Sequence, residues 1–352
     1  MRNDTIKRLL GTELPIIQAP MAGVQDSALT IAVSEAGGLG SLPCGLLNIE
    51  TIVRELTIIK QATDKPFNLN FFCHEMPAYD EQKQARWQEA LAPYFDELGI
   101  ELKSNPNSAT RMPFNHDIAD AIEPFKPEFI SFHFGLPSSE LVARLKHWGT
   151  RIVSSATTVE EALWLESRGA DGIIAQGFEA GGHRGMFLSD DISTQIGLAA
   201  LVPQIASKVN VPVIAAGGIA DNRGVEAALL LGASAVQIGT GYLLCTEAKT
   251  SQLHRTAMQS NQSSHTALTT VFTGRPARSI VNRAMKALGY MNSPAPAFPY
   301  ASIEMGQLRG PAEKLGSADF SPLWCGQNTS GCQAISAREL TLLLADKVVG
   351  KD

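Results

Sequence analysis

The sequence has few of the features that mark several large protein classes. It has no apolar run long enough to span a membrane, and residues 1–15 lack the apolar core of a secretion signal. Its five cysteines are odd in number and form no CxxC pair, which argues against a disulfide framework and a zinc site. The net charge is -6 with no block of like charges, which argues against nucleic-acid and membrane partners. We therefore expect a cytoplasmic globular protein without a metal site.

A repeated strand–helix pattern extends from about residue 14 to residue 245. Eight short apolar segments alternate with amphipathic segments of helical length, such as Thr194–Lys208. Each of the eight is apolar enough to be buried on both faces, as parallel strands are. The predicted strands are Pro15–Ala19, Gly38–Leu42, Phe67–Phe71, Glu128–Phe132, Arg151–Ser155, Gly172–Gln176, Val211–Ala216 and Ala235–Gly239. Eight such units predict an α/β fold, a closed (β/α)8 TIM barrel. The alternative is a doubly wound open sheet, but no GxGxxG follows the first strand.

The pattern changes after residue 245. Residues 246–329 contain a predicted helix, Glu247–Gln259, a basic stretch and a Pro-rich loop, and we expect a smaller, mostly helical subdomain there that covers one face of the barrel. Residues 1–245 would form the barrel, with residues 330–352 packing back on it through a helix at 337–349. Arg275, Arg278 and Arg283 have helical spacing, which favours a solvated basic face over an anion site.

Polar residues and glycines collect where the predicted strands end. In a TIM barrel the reactive groups lie at the carboxyl ends of the strands, because the strands themselves are buried. The candidates at these ends are Ala19, Pro20, Met21, Asn70, His133, Gln176, Gly181, His183, Gly217, Gly218, Gln237, Ile238, Gly239 and Thr240. This convergence predicts one ligand site at the barrel mouth.

The ends of the last two strands resemble a phosphate site. Gly217-Gly218 precedes a predicted helix at Asn222, and Gly239-Thr240 follows the eighth strand. Backbone N–H groups of such loops bind phosphate in many barrels, and no Cβ blocks the approach. The alternative is two tight turns that merely need glycine.

Histidines follow two of the strands. His183 lies in a glycine-rich loop, Glu179–Gly185, where it is placed to move protons near neutral pH. His133 follows the fourth strand and has either a direct or a structural role. The amides of Asn70 and Gln176 need matched partners, which a flavin ring would offer. The other histidines, His74, His116, His147, His254 and His265, are expected in loops or on solvated faces.

These segments resemble the class I nitronate monooxygenases, a family once grouped as 2-nitropropane dioxygenases. The resemblance is carried by the segments QAPMAG (18–23), AGGLGS (36–41), NLNF (68–71), SFHFG (131–135), AQGFEAGGHRG (175–185), GGIA (217–220) and QIGT (237–240). It spans the barrel and continues into Gly326-Gln327. The glycine-rich histidine loop is its most specific part, because other flavin barrels share the phosphate glycines.

The resemblance implies a flavoprotein that holds FMN non-covalently and oxidises alkyl nitronates, such as propionate 3-nitronate, with O2 to a carbonyl compound and nitrite. The FMN contacts would be Asn70, Gln176, Gly181, Gly218 and Gln237 to Thr240, and His183 would be the catalytic histidine. One-electron chemistry would belong to the flavin. His183 would be a base for neutral nitroalkanes or a donor that holds the nitronate anion. We expect a monomer or homodimer.

Two other functions fit parts of this pattern. An NAD(P)H-dependent FMN reductase of enoyl thioesters or quinones would share the fold and the flavin but would need a nicotinamide to reduce it. A flavin-free isomerase or synthase would use the phosphate site for its own substrate. The spectrum of the purified protein, with and without nitronate or NADPH, distinguishes the three functions.

Overall fold

The computed structural model describes residue 5, residues 8–103 and residues 111–346. Its strands are β1 (Ile16–Gln18), β2 (Gly40–Pro43), β3 (Phe67–Phe72), β4 (Phe129–His133), β5 (Arg151–Ala156), β6 (Gly172–Gln176), β7 (Gly182–His183), β8 (Val213–Ala216), β9 (Ala235–Ile238), β10 (Thr266–Thr269) and β11 (Ala277–Ile280). Its helices are α1 (Ser27–Glu35), α2 (Ile49–Ala62), α3 (Glu81–Leu98), α4 (His116–Ile122), α5 (Ser139–His147), α6 (Val159–Ser167), α7 (Leu198–Ala206), α8 (Asn222–Leu230), α9 (Gln252–Gln259), α10 (Arg283–Leu288), α11 (Ser302–Lys314) and α12 (Ala337–Ala345). None of the helices in these described ranges is both long and apolar enough to cross a membrane.

Eight parallel strands form the barrel, in the order β1-β9-β8-β6-β5-β4-β3-β2. The two ends of this order meet, because Gln18 N–H donates to Leu39 O at 3.0 Å and Leu39 N–H donates to Ile16 O at 2.8 Å. The predicted (β/α)8 barrel is therefore confirmed, and all eight predicted strands are present.

The barrel interior is filled by apolar side chains. Ile17, Phe129, Val153, Ile174 and Ile214 lie in one buried cluster, and Leu9 and Leu10 belong to the same cluster. The opposite faces of the strands pack against the helices in a larger core. Since both faces are buried, a ligand has access only at the ends of the strands.

A second core joins the region after residue 245 to the barrel. Helix α3 contributes Trp87, Leu91 and Phe95, which pack with residues from 271 to 320. Trp87 Nε1 donates to Ala301 O at 3.3 Å, which ties α3 to the beginning of α11. One helix of the barrel therefore shares a core with the region after residue 245. The domain boundary at residue 245 stays a prediction.

The region after residue 245 also contains a hairpin that the sequence did not predict. Strands β10 and β11 pair antiparallel, and β7 pairs with β11 so that His183 lies opposite Ala277. Each strand of the hairpin has only four residues, and β7 has two, so none shows a readable alternation of apolar residues. The consequence is important for the site, because the histidine loop becomes the third strand of this small sheet.

Three predicted helices differ from the observed ones. The helix expected at Glu247–Gln259 begins at Gln252, where the Ser251 side chain caps it by accepting the His254 N–H. The helix expected at Thr194–Lys208 begins at Leu198, because the carboxylate of Glu179 accepts the Leu198 N–H at 2.9 Å and caps it there. The closing helix α12 packs against α1 and α8. It was predicted to extend to residue 349, and residues 347–349 lie outside the described part of the chain.

Candidate functional site

A cavity of about 410 Å³ opens at the carboxyl ends of the barrel strands. All fourteen residues predicted from the strand ends line it, so the structure brings together every candidate. The wall also includes residues that were not predicted, among them Phe72, Arg111, His254, Arg309, Trp324, Gly326 and Asn328. Placement in one cavity is established by the structure, while the role of each residue stays a prediction.

The loops after β8 and β9 form a cradle of open backbone donors. Gly217 and Gly218 have positive φ angles, 122° and 69°, which other residues rarely adopt. Among the described residues, no backbone carbonyl accepts the N–H of Gly218, Gly239 or Thr240. The N-terminus of α8 is already capped by Asp221, whose carboxylate accepts Gly224 N–H at 2.9 Å. The Asp221 carboxylate thus occupies the N-terminus of α8, and the open donors at this end of the barrel are those of the loops.

A segment near the carboxyl terminus holds this cradle in place. Asn328 Nδ2 donates to Gly218 O at 2.9 Å, and Gly326 N–H donates to Thr240 Oγ1 at 2.9 Å. Thr240 accepts this bond, so its own hydroxyl proton can be donated to a second partner, either the neighbouring Cys325 thiol or a ligand. A Cβ on Gly181 would lie 2.6 Å from the Gly326 nitrogen, so only glycine allows the histidine loop to approach this segment.

Three amide side chains at strand ends differ in their partners. Gln176 is satisfied inside the chain, because Gly185 N–H donates to its Oε1 at 2.7 Å and its Nε2 donates to His183 O at 2.9 Å. Asn70 Nδ2 donates to Ser131 Oγ at 2.9 Å, and no group of the described residues donates to its Oδ1. Gln237 Oε1 is buried and has no hydrogen-bond partner among the described residues. Gln176 thus orders the histidine loop, while Asn70 and Gln237 keep capacity for a ligand.

His183 lies at the cavity wall within a set of aromatic rings. Its ring centroid is 5.4 Å from those of Phe298 and Trp324, and its Nε2 is 2.9 Å from Thr273 Oγ1. Burial, followed by the charges of Arg111 and other nearby groups, lowers the pKa of His183 well below its usual range. The imidazole is therefore neutral at pH 7.

Both ring nitrogens of His133 are already engaged. Its Nε2 donates to His183 O at 3.2 Å, and its Nδ1 is 3.0 Å from Ser155 Oγ. Burial lowers the pKa of His133 to about 3. Since neither nitrogen is left for a ligand, this geometry favours the structural alternative, in which His133 positions the loop of His183.

Arg278 is buried and Arg275 is half-buried, which contradicts part of the sequence interpretation. Arg278 is 2% exposed and donates through Nη2 to Phe178 O at 2.8 Å, and the guanidinium of Arg275 lies 4.0 Å from the centre of the Phe134 ring. The prediction of a solvated basic face at Arg275, Arg278 and Arg283 is wrong for the first two. They lie on or beside β11, where side chains have no helical spacing, and only Arg283 is on a helix.

The histidines outside the loop were partly mispredicted. His116, His147 and His265 are exposed, as expected. His74 and His254 are buried, and burial together with nearby arginines lowers the pKa of each to about 4. The hydrophobic pattern of a short helix such as α9 does not reveal which polar residue faces a neighbouring core, so no signal in the sequence pointed to His254.

These buried histidines predict a loss of stability in acid. The pKa of His254 is about 4 in the folded chain and roughly 6.5 when unfolded. The unfolded chain therefore binds a proton that the folded chain does not, and the free energy of unfolding falls as the pH drops from roughly 6.5 towards about 4. Between pH 7 and pH 5 we expect a loss of about 1–2 kcal/mol from this histidine alone. Urea unfolding at a series of pH values measures it.

The His254→Phe variant tests this assignment. It removes the titrating group but keeps an aromatic ring in the buried position, so its stability should depend less on pH between 7 and 5 than that of the parent. His147→Gln, at an exposed position, is the matched control and should retain the parent's slope. An unchanged slope in His254→Phe would contradict the prediction.

Comparisons with known proteins agree with this architecture. A family model described as nitronate monooxygenase matches residues 3–346. Nitronate monooxygenases of Paraburkholderia phytofirmans and Pseudomonas aeruginosa are each 40% identical over 355 residues, and the alignments cover 98% and 99% of this chain and 96% and 99% of the relatives. The structure of nitroalkane oxidase from Streptomyces ansochromogenes superposes with a TM-score of 0.87 at 36% identity, covering 98% of this chain and 97% of that one. The chain therefore belongs to the nitronate monooxygenase family, and it is an oxidoreductase.

Proposed function

We propose that this protein oxidises alkyl nitronates, such as propionate 3-nitronate, with O2 to a carbonyl compound and nitrite, using bound FMN. The observation that carries the proposal is the position of His183, a neutral imidazole at the wall of the same cavity that offers a phosphate cradle. Bound FMN would supply the one-electron chemistry that the side chains lack. The residues then have to bind the cofactor, orient the substrate and exclude water.

The residues of the cavity fit FMN. The donors of Gly218, Gly239 and Thr240 suit its phosphate, and the free amide atoms of Asn70 and Gln237 suit the polar edge of a flavin ring. Nitronate monooxygenases are flavoenzymes, and the dinucleotide fingerprint that would favour a larger flavin is missing from the start of the barrel. We therefore propose FMN over FAD.

The charges near His183 suit an anionic substrate. Arg111 and Arg275 are the arginines whose charges act on its imidazole. A nitronate carries one negative charge, so the guanidinium of Arg111, which lines the cavity, would stabilise it there. The rings of Phe72, Phe298 and Trp324 exclude water from the same space. In this arrangement His183 would act as a base for neutral nitroalkanes or as a donor that holds the nitronate anion.

Anaerobic reduction of the flavin tests the proposed donor. Mixing the oxidised holoenzyme with propionate 3-nitronate in a stopped-flow instrument without oxygen should bleach the flavin absorbance rapidly. NADPH at the same concentration should leave the spectrum unchanged over the same period. Rapid bleaching by NADPH, with nitronate inert, would instead establish the reductase of enoyl thioesters or quinones. A colourless protein that does not bind added FMN would favour the flavin-free isomerase or synthase.

A further inference from the structure

The partner of the His183 ring is a threonine of the hairpin region. Thr273 lies between β10 and β11, is 2% exposed, and places its Oγ1 2.9 Å from His183 Nε2. Within the described ranges, no other hydrogen bond reaches this imidazole, so Nδ1 is without a protein partner. The same Thr273 hydroxyl lies 3.5 Å from the carbonyl oxygen of Arg275. The tautomer of His183 therefore depends on which way this hydroxyl points.

Two arrangements of protons are possible at this contact. If Thr273 donates to Nε2, the proton of the neutral imidazole must lie on Nδ1, and His183 presents a donor to the cavity. If Thr273 accepts from Nε2–H, then Nδ1 carries a lone pair, and the hydroxyl proton goes to Arg275 O. The second arrangement makes two hydrogen bonds and the first makes one, so the second satisfies more of the buried polar groups.

We propose that Thr273 is a positioning residue that holds His183 as the Nε2–H tautomer and so makes Nδ1 the base of the site. This inference rests on the proposed function for the identity of the substrate. With a neutral nitroalkane, the α-carbon C–H bond breaks, its proton goes to Nδ1, and its electron pair forms the nitronate. The resulting imidazolium keeps its Nε2–H bond to Thr273, which becomes stronger because the donor is now charged.

Thr273 is expected to matter for one class of substrate only. A neutral nitroalkane must lose a proton before it is oxidised, whereas a nitronate has already lost it. Removing the acceptor of Nε2–H weakens the base and lets the other tautomer form. The rate with nitroalkanes should then fall while the rate with nitronates is largely retained, and a loss of structure alone would affect both.

The tautomer can be read directly by NMR. Two-bond ¹⁵N–¹H spectra of the flavin-loaded full-length chain, labelled with ¹⁵N-histidine, distinguish Nε2–H from Nδ1–H, and the signals of His183 are assigned with His183→Asn. We expect Nε2–H in the parent and in Thr273→Ser, and a shift towards Nδ1–H in Thr273→Val. An Nδ1–H tautomer in the parent overturns the proposal without reference to any variant.

Kinetics supply the second readout. In anaerobic stopped-flow measurements, Thr273→Val should lower the rate of flavin reduction by nitroethane by about five- to tenfold, the usual effect of one neutral hydrogen bond. The rate with ethyl nitronate should change less than about twofold, and Thr273→Ser should restore the nitroethane rate. Equal losses with both substrates would overturn the proposal. If the parent reduces its flavin with neither substrate, the proposed function fails, and the NMR result still decides the tautomer.

Discussion

His183→Asn is expected to slow flavin reduction by neutral nitroalkanes by about 10²–10⁴-fold, the usual contribution of a general base. The rate with nitronates should fall only modestly, because a nitronate needs no base. The pKa of His183 is held well below its usual range, first by burial, so the parent imidazole is already a neutral base at pH 7. The comparison is made by anaerobic stopped-flow mixing of each substrate with parent and variant.

The choice of asparagine keeps the test specific. Its amide has a donor of similar reach, so it preserves a contact to Thr273 or to an anion while it removes the basic nitrogen. His147→Asn, at an exposed position on α5, is the matched control. The FMN content of each variant has to be measured, since Gly181 and Gly182 adjoin this histidine. Equal losses with both substrates, at full FMN content, would show that His183 does not abstract the proton.

The barrel and its mouth were predictable from the sequence for a physical reason. A strand that is buried on both faces needs a continuous apolar run, and a turn that approaches a ligand needs glycine, so both leave local signals. Gly217 and Gly218 illustrate this, because their positive φ angles are possible for few other residues. All fourteen predicted site residues lie on one cavity because parallel strands end at the same face.

The rest of the site was not predictable, because it comes from segments far apart in the chain. Arg111 lines the cavity from the connection between α3 and α4, and Trp324 and Asn328 line it from beyond the strand–helix repeat. Thr273 contacts His183 from 90 residues away, through a hairpin too short to show a pattern. Nothing in the spacing of these residues distinguishes them from ordinary loop residues, so only the folded structure brings them to the histidine.

Charge also misled the sequence interpretation. Basic residues are usually solvated, yet the guanidinium of Arg184 is fully buried and donates to the carbonyl oxygens of Gln176 and Gly177 at 2.9 and 2.7 Å. Arg278 does the same for Phe178. A guanidinium has five N–H donors and can satisfy several carbonyls where a strand ends, which is a tertiary requirement that no local pattern shows.

The second large effect is expected on the affinity for FMN, when the cradle formed by the loops after β8 and β9 is altered. Gly218→Ala is expected to raise the dissociation constant of FMN by about 10- to 100-fold, because a hydrogen bond to a charged group contributes about 1.5–3 kcal/mol. The alanine would have to adopt a φ of 69°, and its Cβ would lie 3.2 Å from Glu179 Cβ. Relief of both strains moves the Gly218 N–H away from the phosphate. Fluorescence titration of the deflavinated protein with FMN measures the change.

Gly149→Ala separates the strain of the backbone from the loss of the cradle. Gly149 has a φ of 82° but lies in an exposed turn after α5, where a Cβ would meet no heavy atom within 4 Å. Both variants should lose about 1–2 kcal/mol of stability from the left-handed conformation. Only Gly218→Ala should lose affinity for FMN. If both variants bind FMN as the parent does, the phosphate does not bind at Gly218. If both lose affinity equally, the effect comes from global destabilisation, and the phosphate must be sought at another part of the cavity.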